Sequence, residues 1–110
     1  MKKIEATIPP FTLEEVRAAF VGEGAEGMTV TEVRVLDPHI RTNYYRGSAY
    51  DIPFVARCKV EVVIADEQVA RCVDAARAIL ARTDDAGQIV VLPLGDTVRI
   101  RTGEHLSRAA

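Results

Sequence analysis

The hydrophobic period of this sequence changes repeatedly between that of a strand and that of a helix, and the order of these changes restricts the fold more than any other feature. Residues 2–8 alternate apolar and polar side chains, which predicts a half-buried strand that ends at Pro9. Thr12 and Glu15 have the spacing of a capping box, and the apolar positions that follow predict a first helix over residues 13–21.

The remaining periods repeat this pattern. Residues 28–36 and 58–64 are rich in β-branched side chains and predict two further strands. Asp66 is placed to cap a second helix, whose apolar stripe is continuous over residues 69–80. Residues 89–94, IVVLPL, are apolar on both faces and predict a strand that is buried from two sides.

The resulting order is β-α-β-β-α-β, followed by a short extra strand over residues 98–101. This order predicts an α+β fold of the ferredoxin-like type, a sandwich in which two helices cover one face of the sheet. Apolar side chains on the other face have no further layer in the sequence to cover them. We therefore expect copies of the chain to associate through their open sheet faces.

A long connection without any period, residues 36–57, separates the second and third predicted strands. It contains Tyr44, Tyr45 and Tyr50. Connections of about 20 residues without structure are rare in compact domains and are usually functional or disordered. Because aromatic side chains are favoured anchors at interfaces, we expect this loop to contact a partner. A mobile insertion without function is the alternative.

Composition excludes several classes of function. The 14 basic and 16 acidic residues give a net charge of −2, so no overall field favours nucleic acid or an anionic membrane. Cys58 and Cys72 lie far apart, which suits small buried side chains in a reducing compartment. The sequence has no signal-peptide pattern and no apolar segment long enough to span a bilayer. We expect one cytoplasmic domain.

Common catalytic motifs such as HExxH, GxSxG and the Walker loop are absent, so the sequence does not predict an enzyme. Arg99 and Arg101 are two residues apart in a predicted strand, which would place both guanidinium groups on one face, about 7 Å apart. Such a pair suits a polyphosphate, and the turn at Gly87 would add backbone donors. The alternative is two surface arginines neutralised by Glu61 or Glu104.

Five segments resemble the PII signal-transduction protein family, in the same order along nearly the whole chain. They are MKKIEATIPPFTLEEVRAAF at the start, GMTVTEV at 27–33, YRGSAY at 45–50, KVEVVI at 59–64 and VRIRTGE at 98–104. The resemblance implies a homotrimer of ferredoxin-like subunits with ATP or ADP bound between neighbours. It also implies that a protruding T-loop docks on transporters and enzymes of nitrogen assimilation.

The resemblance assigns roles to residues of a single domain, 1–110. The implied nucleotide site consists of Gly27, Met28 and Thr29 in an adenine-binding turn, Glu61 and Val63 on a strand, and Gly87, Gln88, Arg99 and Arg101 near the phosphates. The T-loop, 37–57, would contact its target through Tyr44, Tyr45, Arg46, Tyr50 and Arg57. Tyr50 also matches the tyrosine that the family uridylylates, although we favour a role as an anchor. A turn at 82–88 resembles the family's B-loop, and 102–110 form a tail.

Two loops depart from the family's pattern. VLDPHIR replaces GFGRQKG after the second strand, and RTDDAGQ replaces TGKIGDGK, which removes basic and amide groups that contact phosphate and magnesium. Asp84 and Asp85 add negative charge, and Arg57 replaces the lysine that pairs with 2-oxoglutarate. We therefore expect a preference shifted towards ADP or AMP, Mg²⁺ only together with ATP, a weakened or absent 2-oxoglutarate response, and a target that need not belong to nitrogen metabolism.

The sequence leaves two alternatives open. One is a trimer that has lost nucleotide binding and captures a metal ion or small anion in the loop, where Asp37, His39 and Asp51 are the imaginable ligands. Their irregular spacing does not match a metal site, so we expect no resident metal. The other is a small enzyme in the trimer clefts, which slow ATP hydrolysis would reveal, although no residue is an evident base.

Overall fold

The computed structural model describes residues 1–36, 54–83 and 87–106. These residues form four strands and two α-helices, with a short 3₁₀ turn before each helix. The elements in chain order are β1 (Lys2–Ile8), α1 (Leu13–Gly22), β2 (Thr29–Leu36), β3 (Phe54–Ile64), α2 (Val69–Leu80) and β4 (Gln88–Pro93). This order confirms the predicted ferredoxin-like α+β fold.

The strands form one antiparallel sheet in the order β2-β3-β1-β4. β1 lies inside the sheet, where Ile4 is opposite Val62 of β3 on one side and Val91 of β4 on the other. β2 and β4 are the two edges. Neither helix in the described chain is long and apolar enough to cross a membrane.

Both helices pack on one face of the sheet, and the core lies between them. The alternation predicted for β1 and β3 is present, because every second residue is buried from Ile4 to Ile8 and from Cys58 to Ile64. The largest fully buried side chains are Phe20, Ile4, Ile8, Ile64, Val16, Val60, Val62 and Cys72. Removing such an apolar side chain from water contributes about 1.5–3 kcal/mol to the free energy of folding.

Both cysteines belong to this core, as the sequence predicts. Cys58 is 6% exposed, Cys72 is fully buried, and neither is in a disulfide. Burial raises the pKa of the Cys72 thiol, so the side chain behaves as a small apolar group.

The predicted capping bonds are not formed, although Thr12 is the N-cap residue of α1 as predicted. Thr12 Oγ1 donates to Pro9 O at 2.7 Å and makes no capping bond to α1. Asp66 does not cap α2 either, because its carboxylate lies 2.9 Å from the Met1 ammonium. In both places a 3₁₀ turn precedes the helix, with Thr12 N bonded to Pro9 O and Gln68 N bonded to Ala65 O. α1 still begins at Leu13 as predicted, whereas α2 begins at Val69 with Gln68 as its N-cap residue, beyond Asp66.

The β2–β3 hairpin is longer than the sequence predicts. Its pairs run from Thr29 with Glu61 to Leu36 with Phe54, so residues 54–57 belong to β3 and not to the long loop. The rest of that loop lies outside the described residues, together with its candidate ligands and the contact residues Tyr44, Tyr45, Arg46 and Tyr50. Residues 84–86 and 107–110 lie outside them as well.

The extra C-terminal strand is only a single bridge between Val98 and His105. Arg99 N donates to Glu104 O at 2.9 Å and Gly103 N donates to Arg99 O at 2.8 Å, with Gly103 at φ +73°. The chain therefore turns back on itself at residues 99–104 instead of extending along the sheet.

The expected burial of β4 from two sides is not found in the single chain. Because β4 is an edge strand, its Val91 remains 40% exposed.

Candidate functional site

A cleft of about 670 Å³ opens where β2 begins and β3 ends. It is lined by the turn before β2, the end of β3, the start of the chain and the C-terminal turn. Six of the predicted nucleotide-binding residues meet in it: Gly27, Met28, Thr29, Glu61, Val63 and Arg99. Residues separated by more than 70 positions in the sequence thus line one site.

Strand register explains how the turn before β2 and the end of β3 meet in the cleft. Thr29 is directly opposite Glu61 in the antiparallel β2–β3 pair, so both side chains lie on the same face of the sheet. Val63 follows Glu61 on that face. The turn that leads into β2 is held by Ala25, which is 6% exposed, and by Gly24 in the left-handed region at φ +103°.

Glu61 belongs to a compact group of four charges on the open sheet face, the charge cluster Lys3, Glu5, Lys59 and Glu61. Glu5 and Glu61 are directly opposite each other in the sheet. Lys3 Nζ lies 2.5 Å from Glu61 and 3.1 Å from Glu5, and Lys59 Nζ lies 3.8 Å from each. The two lysines therefore offset the repulsion between the carboxylates.

The contact between Lys3 and Glu61 favours the charged form of both side chains. The hydrogen bond from the Lys3 ammonium holds the pKa of Glu61 below its ordinary value of 4.5. The same bond raises the pKa of Lys3 above 10.5. The Glu61 side chain is only 20% exposed, so it enters the cleft as a carboxylate whose charge is already compensated.

Arg99 brings a cation to the cleft that has only a loose partner. Its Nε lies 4.0 Å from Glu104, and both side chains are more than half exposed. An exposed pair at this distance contributes little, so the guanidinium group is able to bind an anion. The alternative that Glu61 neutralises Arg99 is wrong, since the ion pairs of Glu61 are with Lys3 and Lys59.

Arg101 does not join Arg99 in the cleft. It lies in the C-terminal turn, is exposed and is not among the lining residues. The predicted placement of both arginines on one strand face is wrong, because residues 99–104 form a turn. Its contact with a nucleotide stays a prediction.

Gly87 and Gln88 lie at the start of β4, on the far edge of the sheet from β2. Three strand spacings, about 14 Å, separate the two edges. A smaller groove of about 330 Å³ contains them, beside Val73 and Leu80 of α2. One chain therefore does not bring these two residues together with the cleft.

Arg57 has a different position from the other predicted residues. It lies on β3 opposite Val33, on the open face, and its Nη1 donates to Ala56 O at 3.1 Å. Its predicted contact with a partner stays untested.

Eight residues that line the cleft were not predicted as site residues: Met1, Gly24, Glu26, Ile64, Ala65, Gln68, Thr97 and Leu106. No binding role follows for them from a motif or from hydrophobic spacing. The one indication in the sequence was the position of Gln68 a few residues after β3, because binding residues often lie in the loops that follow regular elements.

No group of three or more histidine, cysteine, aspartate or glutamate side chains in residues 1–36, 54–83 and 87–106 could hold a metal ion. His105 Nδ1 instead lies 2.5 Å from Asp96 Oδ2 in the C-terminal turn. The candidate ligands Asp37, His39 and Asp51 are outside this part of the chain.

Comparison with known proteins agrees with the fold and the resemblance. The profile of the family described as Nitrogen regulatory protein P-II matches residues 1–104. The chain is 46% identical to nitrogen regulatory protein P-II of Microchaete diplosiphon over 99% of both chains. It is 45% identical to that of a Synechocystis strain over 99% of both, and 44% identical to that of Cereibacter sphaeroides over 94% of this chain and 95% of the relative.

Proteins of this family are regulators that act in signal transduction and not enzymes, which agrees with the absence of catalytic motifs in the sequence. Matches of this extent cover every strand and helix described above. The chain therefore belongs to the nitrogen regulatory protein P-II family.

Proposed function

We propose that this protein binds an adenine nucleotide in the cleft, which a neighbouring subunit of a homotrimer completes, and that occupancy controls a target protein through residues 37–53. The observation that carries the proposal is the convergence of Gly27, Met28, Thr29, Glu61, Val63 and Arg99 on one cleft. These residues come from three separate stretches of the chain, and each supplies a different part of a nucleotide site.

The cleft has the chemistry that such a ligand needs. Met28 and Val63 offer apolar surface for a base, and Arg99 offers a guanidinium fork for phosphate. At Gly27 the space that a Cβ would enter is open, so a ligand can approach the backbone closely. The apolar and cationic parts together favour a nucleotide over a simple anion.

A second copy would supply what the single chain lacks. Gly87 and Gln88 lie at the β4 edge, so a nucleotide in the cleft can contact them only if they come from a neighbour. The open sheet face, with the charge cluster at its centre, has no covering element in the described chain. Packing these faces around a threefold axis would cover them and bring one subunit's β4 edge to the next subunit's cleft.

The experiment that tests nucleotide binding is isothermal titration of the purified protein with ATP, ADP and AMP, each with and without Mg²⁺ and 2-oxoglutarate at fixed salt. We expect micromolar binding, with ADP or AMP favoured because Asp84 and Asp85 add negative charge to the sequence that replaces the family's phosphate-binding loop. We expect 2-oxoglutarate to change the affinity little. Absence of heat with all three nucleotides would contradict the proposal.

A matched pair of arginine variants tests the site itself. Arg99→Ala should weaken ATP binding by about tenfold or more, because a charge-assisted contact with phosphate is lost. Arg71→Ala, at an exposed position of α2 outside the cleft, should bind as the wild type does. Arg101→Ala decides whether that residue reaches the ligand from its turn. Equal affinities for the Arg99 and Arg71 variants would remove the arginine from the site.

Control of a target is the second half of the proposal. β2 and β3 project as a hairpin whose last pair, Leu36 and Phe54, is 55% and 47% exposed and leads into residues 37–53. Apolar side chains at the base of a segment with three tyrosines favour a protein partner, such as a membrane transporter or a metabolic enzyme.

Affinity capture from an extract of the source organism, with ATP or ADP present, tests this part. The matched control is a variant in which a short Gly-Ser linker replaces residues 40–50 and nucleotide binding is first shown to be intact. We expect a partner whose capture depends on the nucleotide and is lost with the linker. Identical capture by both proteins would contradict a role for this segment.

A further inference from the structure

Gln68 has an unusual position for a glutamine at the start of a helix. It is the N-cap residue of α2, yet its side chain makes no capping hydrogen bond. No side-chain hydrogen bond joins its amide to any group in the part of the chain that the structure describes. The side chain is nevertheless half-buried and lies in the wall of the cleft. A polar group in such a place gains stability from any partner that the cleft admits.

The amide occupies space that the absence of a side chain at Gly24 leaves open. A Cβ at Gly24 would lie 2.5 Å from Nε2 of Gln68, 3.1 Å from its Cδ and 3.3 Å from its Oε1. Any side chain at residue 24 would therefore displace the amide. Gly24 also has φ +103°, a conformation that residues with a side chain rarely adopt. The turn before β2 and the turn before α2 thus lie close together at this amide.

The surroundings of Gln68 indicate which part of a nucleotide it would meet. Gly24 lies beside its amide, and Met28, Ile64 and Ala65 line the same cleft with apolar or backbone surface. Glu26 and Met1 line it as well, and the Met1 ammonium is already paired with Asp66. Arg99 belongs to a different segment, the C-terminal turn. Phosphates are attracted to the guanidinium group and bases to apolar surface, which favours the base over the phosphates as the part of a nucleotide that meets Gln68.

We propose that the Gln68 amide hydrogen-bonds the base of the bound nucleotide and so contributes to base selection, an inference that rests on the nucleotide binding proposed above. The amide carries both a donor and an acceptor. Its oxygen can accept from the 6-amino group of adenine while its nitrogen donates to a neighbouring ring nitrogen, a pairing that glutamine makes with adenine in other complexes.

The test combines one substitution with one change in the ligand. Gln68→Met keeps the length of the side chain and removes the amide. Affinities of the wild type and this variant are measured by titration for ATP and for purine riboside 5′-triphosphate, which lacks the 6-amino group. We expect the wild type to bind ATP about 5–10-fold more tightly than the analogue, and Gln68→Met to bind both nearly equally.

Gln88→Met is the matched control, since Gln88 lies at the β4 edge and the proposed trimer would bring it to the phosphates and not to the base. Its ratio of ATP to analogue affinity should equal that of the wild type, whatever its overall affinity. The same ratio in the Gln68 variant and the wild type would overturn the inference while leaving nucleotide binding intact. If the wild type binds neither ligand, both the proposed function and this inference fall. Circular dichroism before titration shows that each variant is folded.

Discussion

The two faces of the sheet are built from the same strands but are stabilised by different interactions. On the face that the helices cover, alternate residues of β1 and β3 are almost completely buried with Phe20 and Val16. On the open face, the residues between them include the charge cluster Lys3, Glu5, Lys59 and Glu61, whose side chains are 20–35% exposed. One face is an apolar core and the other is a partly buried set of ion pairs.

The difference shows what a single chain can complete. The helix-covered face excludes water without any partner, so it supplies most of the folding free energy. The open face gains little from its ion pairs while water still reaches them, because exposed pairs are screened. We infer that the open face is organised for contact with other copies and for ligand binding at its margin, where Glu61 reaches the cleft.

The largest expected effect is on the helix-covered face. Phe20→Ala should lower the free energy of unfolding by about 3–5 kcal/mol, because Phe20 is fully buried and its loss leaves a cavity. Phe11→Ala is the matched control, since Phe11 is 77% exposed. Urea denaturation followed by circular dichroism measures both. Equal losses would break the comparison, because they would mean that Phe11 is also buried in solution.

This division explains which parts of the fold could be predicted from sequence. β1, α1, β3 and α2 each bury one side, so their apolar residues recur with a clear period. The capping bonds were mispredicted because Thr12 and Asp66 bond to other groups, and sequence spacing cannot show which partner a polar side chain chooses.

The second expected effect concerns the β4 edge, where the backbone of Gly87 lies close to that of Thr7. A Cβ at Gly87 would lie 1.9 Å from Thr7 O, and Gly87 has φ +84°. Gly87→Ala should therefore separate the start of β4 from β1 and lower the free energy of unfolding by about 2–3 kcal/mol.

Gly95→Ala is the control for this change, because nothing lies within 4 Å of its Cβ position. It should be nearly neutral. Amide hydrogen exchange would locate the damage in the Gly87 variant, with faster exchange at Gln88 and Ile89 than in the wild type. Equal stability of the two variants would show that β4 is not held to β1 as described.

The site was predictable only in part, and the reason is again physical. Glu61 and Thr29 could be placed together once two strands were expected, because antiparallel register brings them opposite each other. The sequence could not show that Arg99 lines the cleft while Arg101 does not. A few backbone hydrogen bonds near Gly103 decide here between a strand and a tight turn. Gln68 belongs to no hydrophobic pattern, so its place in the cleft is seen only in the structure, where two turns pack together.

A third prediction sharpens the comparison by placing a charge on either face of one strand. Val90 is opposite Glu5 on the open face, and Val91 is opposite Ile4 on the helix side. Val90→Lys should weaken subunit association by about 1–2 kcal/mol per subunit, since a lysine next to Glu5 is tolerated in one chain but costly in a packed interface. Val91→Lys should leave association unchanged. Sedimentation at several concentrations distinguishes them, and identical behaviour would place the interface elsewhere.

The smallest expected effect is the pH dependence of the charge cluster. Because the pKa of Glu61 is lowered by the Lys3 hydrogen bond, its contribution to stability is present above pH 4.5 and is lost as the pH falls through the lowered pKa. Because the pKa of Lys3 is raised, its contribution is present below pH 10.5 and is lost as the pH rises through the raised pKa. The interaction should thus be constant over the neutral range and disappear at both extremes.

A double-mutant cycle isolates this interaction from other titrating groups. The free energies of unfolding of the wild type, Lys3→Met, Glu61→Gln and the double variant give the coupling between the two side chains at each pH. We expect a small favourable coupling at pH 7 that vanishes in acid. A coupling well above that of a surface pair would show that the cluster is screened from water in the assembled protein, which is the environment that a second copy on the open face would create. A coupling that does not change between pH 7 and strong acid would show that Lys3 and Glu61 do not interact as charges.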